Sequence, residues 1–131
     1  MSQPAAKLGD KIVASDIHVV MVPTPSGEVP TPLPHPFSGE IRGGCSSNVL
    51  IEGKQAATVG STADNMPPHI PQGGRFQRPP SNKGTIIAGS ATVLINGKPA
   101  ARNGDRAMTC NDPVDMPVGV VVAVGTVMIG G

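Results

Sequence analysis

The sequence predicts an all-β fold of short strands and hairpins arranged around an internal pseudo-threefold axis. Three observations carry this expectation. The first is a repeat. Residues 48–61, NVLIEGKQAATVGS, lie over residues 92–105, TVLINGKPAARNGD, without a gap, and residues 4–10, PAAKLGD, repeat the second half of the unit. A fixed internal period takes precedence over any local reading. The second is that the missing first half of the third copy stands at the far end of the chain. Residues 125–131, GTVMIGG, match ATVLING and SNVLIEG. Joining the two chain ends would complete the third copy and close a ring. The third is the composition. The chain of 131 residues has 17 Gly and 15 Pro, and its glycines recur at equivalent turn positions. That pattern separates it from Gly/Pro-rich disorder.

The elements follow in order. The first repeat body covers residues 4–18, and residues 16–22, DIHVVMV, read as a strand. Residues 23–38 contain Pro23, Pro25, Pro30, Pro32, Pro34 and Pro36. Prolines this dense exclude helix and central strand, so an extended loop is expected, with His35 as a buried member. The second body, residues 47–69, ends in DNMPPH. Residues 70–83, IPQGGRFQRPPSNK, form a second Pro/Gly loop, expected to be exposed and mobile. Residues 84–95 read as two short strands around Gly89-Ser90. Thr92-Val93-Leu94-Ile95 is apolar and largely β-branched, and Asn96-Gly97 follows at once, the strongest short hairpin signal. Asn103-Gly104 is a further turn, because both residues tolerate positive φ. The third body runs over residues 91–110, residues 111–117 turn, and residues 118–131 close the ring. No segment has a helical period. One domain, residues 1–131, accommodates all of it.

Several function classes lose support at this level. The formal net charge is +1, with no basic stripe and no Trp or Tyr, so a nucleic-acid partner is not expected. The longest apolar run, residues 118–129, falls short of the ~20 residues of a membrane helix and is broken by glycine. The N-terminus lacks the pattern of a signal peptide, so synthesis in the cytosol is expected, where Cys45 and Cys110 stay reduced. Cys45, which aligns with Gly89, reads as a small buried thiol. A thin core of Val, Ile, Ala and Met calls for a staple.

The histidines supply one. His18 is eight residues after Asp10, and His69 is eight after Ser61, its counterpart in the repeat. Cys110 is five after Asp105, the third counterpart, and His35 adds a fourth donor from the proline-rich segment. Each repeat thus brings one donor to the same end of the molecule. Three imidazoles and one thiolate are a common closed, tetrahedral zinc set. Four protein donors leave no open position for water, which argues for a structural rather than a catalytic metal. Asp16, Asp64 and Asp112 lie beside donors in sequence and read as turn formers or as support for an imidazole N–H. No nucleophile elbow, phosphate loop or paired-carboxylate motif is present, and no enzyme is expected.

The motifs Pro4-Ala5-Ala6-Lys7-Leu8-Gly9-Asp10, Pro99-Ala100-Ala101-Arg102-Asn103-Gly104-Asp105, the degenerate Gln55-Ala56-Ala57, and Pro34-His35-Pro36-Phe37-Ser38-Gly39 resemble those of the PAAR-repeat proteins that tip the spikes of bacterial contractile injection systems. The resemblance spans almost the whole chain. It implies a small β-rich cone with a triangular base and a metal-held apex. The ligands carried over are His18, His35, His69 and Cys110, with zinc as the metal and iron as the alternative. Gln55 in place of Pro and Ser61 in place of Asp are expected to weaken the second repeat's turn. The implied partner is a trimeric β-helical spike protein (VgrG or gp5-like), one tip per trimer. A trimeric spike ends in open strand edges, an aggregation hazard that a threefold cap removes by strand addition. The contact residues expected are Val49, Leu50 and Ile51, then Val93, Leu94 and Ile95, and then Val127, Met128 and Ile129. The setting is type VI secretion or a phage-tail-like particle, with assembly in the cytoplasm and delivery outside the cell or into the target. The chain ends at Gly131, so a tip without a fused toxin is expected. Two other readings remain open. One is a small metalloenzyme using the His/Cys site; the other is an adaptor whose segments 23–34 and 70–83 carry effector proteins.

Overall fold

The repeated Val-Leu-Ile segments open small hairpins at one end of the computed structural model, which describes residues 2–131. In chain order the strands are β1 (Gln3–Pro4), β2 (Lys11–Thr24), β3 (Gly27–Gly43), β4 (Leu50–Ile51), β5 (Lys54–Gln55), β6 (Thr62–Asn65) and β7 (Arg75–Phe76). They continue as β8 (Lys83–Ile86), β9 (Leu94–Ile95), β10 (Lys98–Pro99), β11 (Arg106–Thr109), β12 (Met116–Val122) and β13 (Met128–Ile129). All pairings between strands are antiparallel, and the described residues contain no helix.

Two hairpins, β4–β5 and β9–β10, turn at Glu52-Gly53 and Asn96-Gly97. Both residues of each turn have positive φ, 51° and 80° in the first and 53° and 80° in the second. That geometry matches the twist of the flanking strands, and Asn-Gly is its preferred sequence. The third hairpin is made by the chain ends, since β1 pairs with β13 through Gln3–Ile129 and Pro4–Met128. The ring closes as the repeat requires. The three strands are two residues long, shorter than the spans 48–51, 92–95 and 126–129 suggest. The cause is local in two copies. The N–H groups of Asn48 and Val49 donate to Ser46 Oγ, and those of Thr92 and Val93 donate to Ser90 Oγ, so they are taken from the ladder by a serine hydroxyl.

The Ala-Ala pairs form the layer above. Ala6 N–H donates to Ala101 O at 2.9 Å, Ala101 N–H to Ala57 O at 3.0 Å, and Ala57 N–H to Ala6 O at 3.0 Å, a closed cycle of three bonds. All three side chains are fully buried. Alanine is required there because three backbones converge and any larger side chain would force them apart. Each turn that follows is fastened by its own side chain. Lys7 N–H donates to Asp10 Oδ2 and Arg102 N–H to Asp105 Oδ2, and Thr58 N–H donates to Ser61 Oγ at 3.0 Å. Ser61 therefore makes the same bond as the two aspartates. The degenerate second repeat keeps the turn bond that its sequence put in doubt.

Beyond that layer six strands close on themselves. The order is β12-β11-β8-β6-β3-β2, and β2 pairs again with β12. The closed ring leaves no edge at this level. Each strand sends one apolar residue inward: Ile12, Ala63 and Ala107 from one set of equivalent positions, and Ile41, Ile86 and Val121 from the other, all buried. Phe37 caps this layer and fits because β8 and its neighbours are open there. A Cβ on Gly84 would stand 3.2 Å from the Phe37 ring.

The proline-rich segment 23–38 is not a loop. Residues 27–43 form β3, paired without interruption to β2 from Thr24–Gly27 to Lys11–Glu40. The prolines Pro30, Pro32, Pro34 and Pro36 recur every second residue. They face Met21, Val19, Ile17 and Ser15 in one set of alternating pairs. Their missing N–H groups all fall on the edge of β3 that faces away from β2, where no bond is lost. Proline density excludes a central strand, but with a period of two it is compatible with an edge strand. The segment 70–83 also contains structure. Arg75 and Phe76 form β7 against Met21 and Val20 of the hairpin arm, and Arg75 makes a two-point ion pair with Glu28 at 2.7 and 2.9 Å. Cys45 is a free, half-buried thiol against the ring core rather than a fully buried one.

Candidate metal centre and docking face

Beyond Phe37, at the end of the ring away from the small hairpins, the strands and the loops after them bring the titratable residues together. His18 comes from β2 and His35 from β3, His69 follows β6, and Cys110 follows β11. The three imidazoles pack on one another with ring centroids 5.0 Å apart for His18–His69, 5.4 Å for His35–His69 and 5.6 Å for His18–His35. Phe76 lies across His18 and His35 at 5.8 and 5.4 Å. The donor atoms of Asp16, His18, His69 and Cys110 all fall within 4.8 Å of one another. His35 stands beside that group with its Nδ1 2.9 Å from Leu33 O. This bond makes Nδ1 the protonated nitrogen and leaves the Nε2 lone pair free.

Asp16 is the member that sequence reasoning treated only as a supporting acid. It is fully buried. Its Oδ2 accepts from His69 Nε2 at 2.8 Å and from Cys110 Sγ at 3.5 Å, while Oδ1 accepts from Thr109 Oγ1 and from Asn111 Nδ2. Of the other two acids, Asp112 lies next to His18 Nδ1, 3.5 Å away without a hydrogen bond, and Asp64 pairs with Lys83 on the exposed surface. Asn65 and Asn82 belong to the site and had no signal in the sequence. Asn65 Nδ2 faces His69 Nδ1 at 3.2 Å, and Asn82 Oδ1 accepts from His69 N–H at 2.8 Å.

The electrostatics follow from burial. Desolvation lowers the His18 pKa, helped by the neighbouring His69 and His35 and opposed by Asp112 and Asp16. Desolvation pushes the Cys110 thiol up to about 11, and the Asp16 charge beside it adds to the effect. Burial also pushes the Asp112 carboxyl up, but the Val19 N–H, Arg78 and His18 outweigh it and hold it below the ordinary value.

Both ring nitrogens of His18 are buried without a hydrogen-bond partner. An orphaned buried imidazole is costly in a purely packed core. It is what a site that takes a cation contains, and the N, S and O donors around it suit a borderline metal ion. The residues present therefore fit a bound metal.

The opposite end carries apolar surface. Leu50, Leu94 and Met128, one per hairpin at equivalent positions, are 60%, 61% and 52% exposed. Their neighbours Ile51, Ile95 and Ile129 are only 6%, 7% and 6% exposed. These isoleucines pack inward with Ala5, Ala56 and Ala100, and Val49 and Val93 are partly buried against them. Val127 stays partly exposed, at 39%. The nine residues expected to form one contact surface thus divide into an outward set and an inward set.

Fold and site together define a class: an internally threefold β-ring, closed by its own chain ends, with a candidate metal centre at one end and an apolar face at the other. Residues 77–131 match the family model of the PAAR motif. No curated protein matches the chain.

Proposed function

We propose that this protein is the tip of a contractile injection system and caps a trimeric β-helical spike of the VgrG type, one chain per trimer. The observation that carries this reading is the threefold-equivalent triad of exposed apolar residues, Leu50, Leu94 and Met128. A monomer with this internal symmetry presents the same contact to each of three identical spike chains. The surrounding hairpins supply short strand edges for addition to the spike. At the other end a structural metal stiffens the molecule where a hydrophobic core has no room. Zinc held by His18, His35, His69 and Cys110, with Asp16 alongside, is the assignment that the donor chemistry supports best. Structural zinc contributes about 10–16 kcal/mol in small peptide sites, ample for a domain with so thin a core.

The side chains of the candidate donors are buried, with Phe76 across His18 and His35, which suits a closed structural site better than a catalytic one. A PAAR motif likewise points to a spike component rather than an enzyme.

The test is capture of the chain by a trimeric spike protein from the same source. Wild type should bind at one chain per trimer. L50D/L94D/M128D should lose binding while keeping its melting temperature within a few degrees, because these side chains are exposed. Undiminished binding by the triple variant would overturn the docking assignment.

A further inference from the structure

The candidate donors are buried, so a metal can exchange with solvent only along a crevice. One crevice, of about 250 Å³, reaches His18 and Cys110 together. We propose that residues 77–82 form a strap over this crevice and that Arg78 is its catch, setting how fast a metal enters and leaves. This rests on the reading of the cluster as a metal centre.

The strap is tied at both ends. Gln77 N–H donates to Val19 O on β2 at 2.9 Å. At the other end Asn82 O accepts from Asn65 N–H at 2.8 Å, and Asn82 Oδ1 accepts from His69 N–H at 2.8 Å. Between the ends stand Pro79 and Pro80, which have no N–H to tie them down. Arg78 fastens this stretch from the side. Its Nη2 donates to Asn111 O at 2.9 Å and to Asp112 Oδ1 at 2.8 Å. Both acceptors belong to the segment that follows Cys110, so the two bonds join the strap to the far wall of the crevice. Arg78, Pro79, Pro80 and Ser81 line that crevice beside His18 and Cys110.

The two halves of the ion pair are held unequally. The Asp112 side chain is 5% exposed and its Oδ2 accepts from Val19 N–H at 2.8 Å, whereas the Arg78 side chain is 56% exposed. The carboxylate is the fixed half, and the guanidinium is the half that lets go. An exposed ion pair adds little to stability, which suits a catch that opens often. The crevice also suits a hydrated cation, because Ser81, Asn111 and the exposed Asp115 offer oxygen atoms along it. A second crevice reaches His35 and His69, but its walls are mostly apolar, Met66, Pro67, Pro68 and Ile70 among them. Apolar walls give a cation nothing in exchange for its water.

The test is release of zinc from the loaded protein to the coloured chelator 4-(2-pyridylazo)resorcinol, at chelator concentrations where the rate no longer rises. Arg78→Ala should release zinc about two- to fivefold faster, as expected for loss of an exposed ion pair, and take it up faster by the same factor. Its zinc affinity, from competition titration, should therefore match wild type. Salt supplies a readout on the unaltered chain. Wild-type release should quicken as rising ionic strength screens the pair, whereas release from R78A should change little. Ile70→Ala, in the second crevice, should release zinc at the wild-type rate. Unchanged release from R78A would overturn the catch. Faster release with affinity lost in proportion would also overturn it, by making Arg78 a support of the donors. Equal acceleration by I70A would do the same, by moving the route to the second crevice. If R78A does not fold, the salt dependence of wild type decides. Wild type that holds no zinc would remove the metal centre itself, a failure distinct from zinc binding without the catch.

Discussion

At the scale of single residues, tolerance is set by how many backbones meet a side chain. Ala6, Ala57 and Ala101 are fully buried and their amides bond in a cycle, so no neighbour can yield without breaking that cycle. Ala101→Leu should destabilise by about 1–3 kcal/mol or more through overpacking, read from the urea midpoint. Ile86→Ala, in the ring core, should cost about 2–5 kcal/mol for a different reason, the cavity it leaves. The buried donors give a pH signature. Burial lowers the His18 pKa, so the unfolded chain binds more protons. Its contribution to metal-free stability is present above the unfolded value of about 6.5 and is lost as pH falls toward the folded one. Cys110 works in the opposite direction. Its pKa is raised from 9.0 to about 11, so its contribution is full below the first value and lost as pH rises through the second. A metal bound as proposed would compete with protons for both groups and should dissociate as pH falls below the histidine range of about 6.5, followed by elemental analysis after dialysis. Stoichiometric retention well below that range would count against histidine ligands. The spacing from Asp10, Ser61 and Asp105 pointed to three of the candidate donors, His18, His69 and Cys110, whereas His35 comes from the proline-rich segment and no repeat position marks it. Asp16 was less legible. Its register positions in the other copies hold Pro67 and Asn111, so nothing in the repeat marks it as the hub.

At the scale of elements, the hairpin turns are connected in a circle. Asn96 Nδ2 donates to Asn48 Oδ1 at 2.9 Å, joining the β9–β10 turn to the second copy. Glu52 Oε1 accepts from Thr126 N–H at 2.8 Å, joining the β4–β5 turn to the C-terminal copy. Gly130 O accepts from Ser90 Oγ at 2.6 Å and completes the circuit. Val124 stands where the other copies have Ser46 and Ser90, so Glu52 does there what a serine hydroxyl does elsewhere. Glu52→Ala should leave Thr126 N–H unpaired and raise amide exchange at Thr126 and in β13, with little change at β9. The β2–β3 arm shows where sequence reasoning stopped. Short hairpins are legible because their turn chemistry is local. A strand made of alternating prolines is not, since its partner β2 lies on the far side of a turn and only pairing reveals which edge loses its N–H groups. Replacing Pro30, Pro32 and Pro34 with Thr would restore those N–H groups to the free edge. The variant should self-associate at high concentration in gel filtration, whereas wild type should not.

For the whole molecule, one chain does the work of three. The chain ends complete the third copy, the ring encloses a small apolar core, and the two ends are specialised differently. One presents Leu50, Leu94 and Met128, and the other gathers the candidate metal donors. The long apolar positions alternate between inward isoleucine and outward leucine or methionine, which the sequence records as one uninterrupted apolar run. The backbone pairing separates the two faces. No helix of the described residues is long and apolar enough to cross a membrane. On the proposed function, a single pseudo-threefold chain, stiffened by one metal, sits on a symmetric trimer. Native mass spectrometry of the chain bound to its trimeric spike protein tests that claim most directly. The predicted mass is three spike chains, one copy of this protein and one zinc ion. Three copies per trimer, or a stable complex lacking metal, would contradict it.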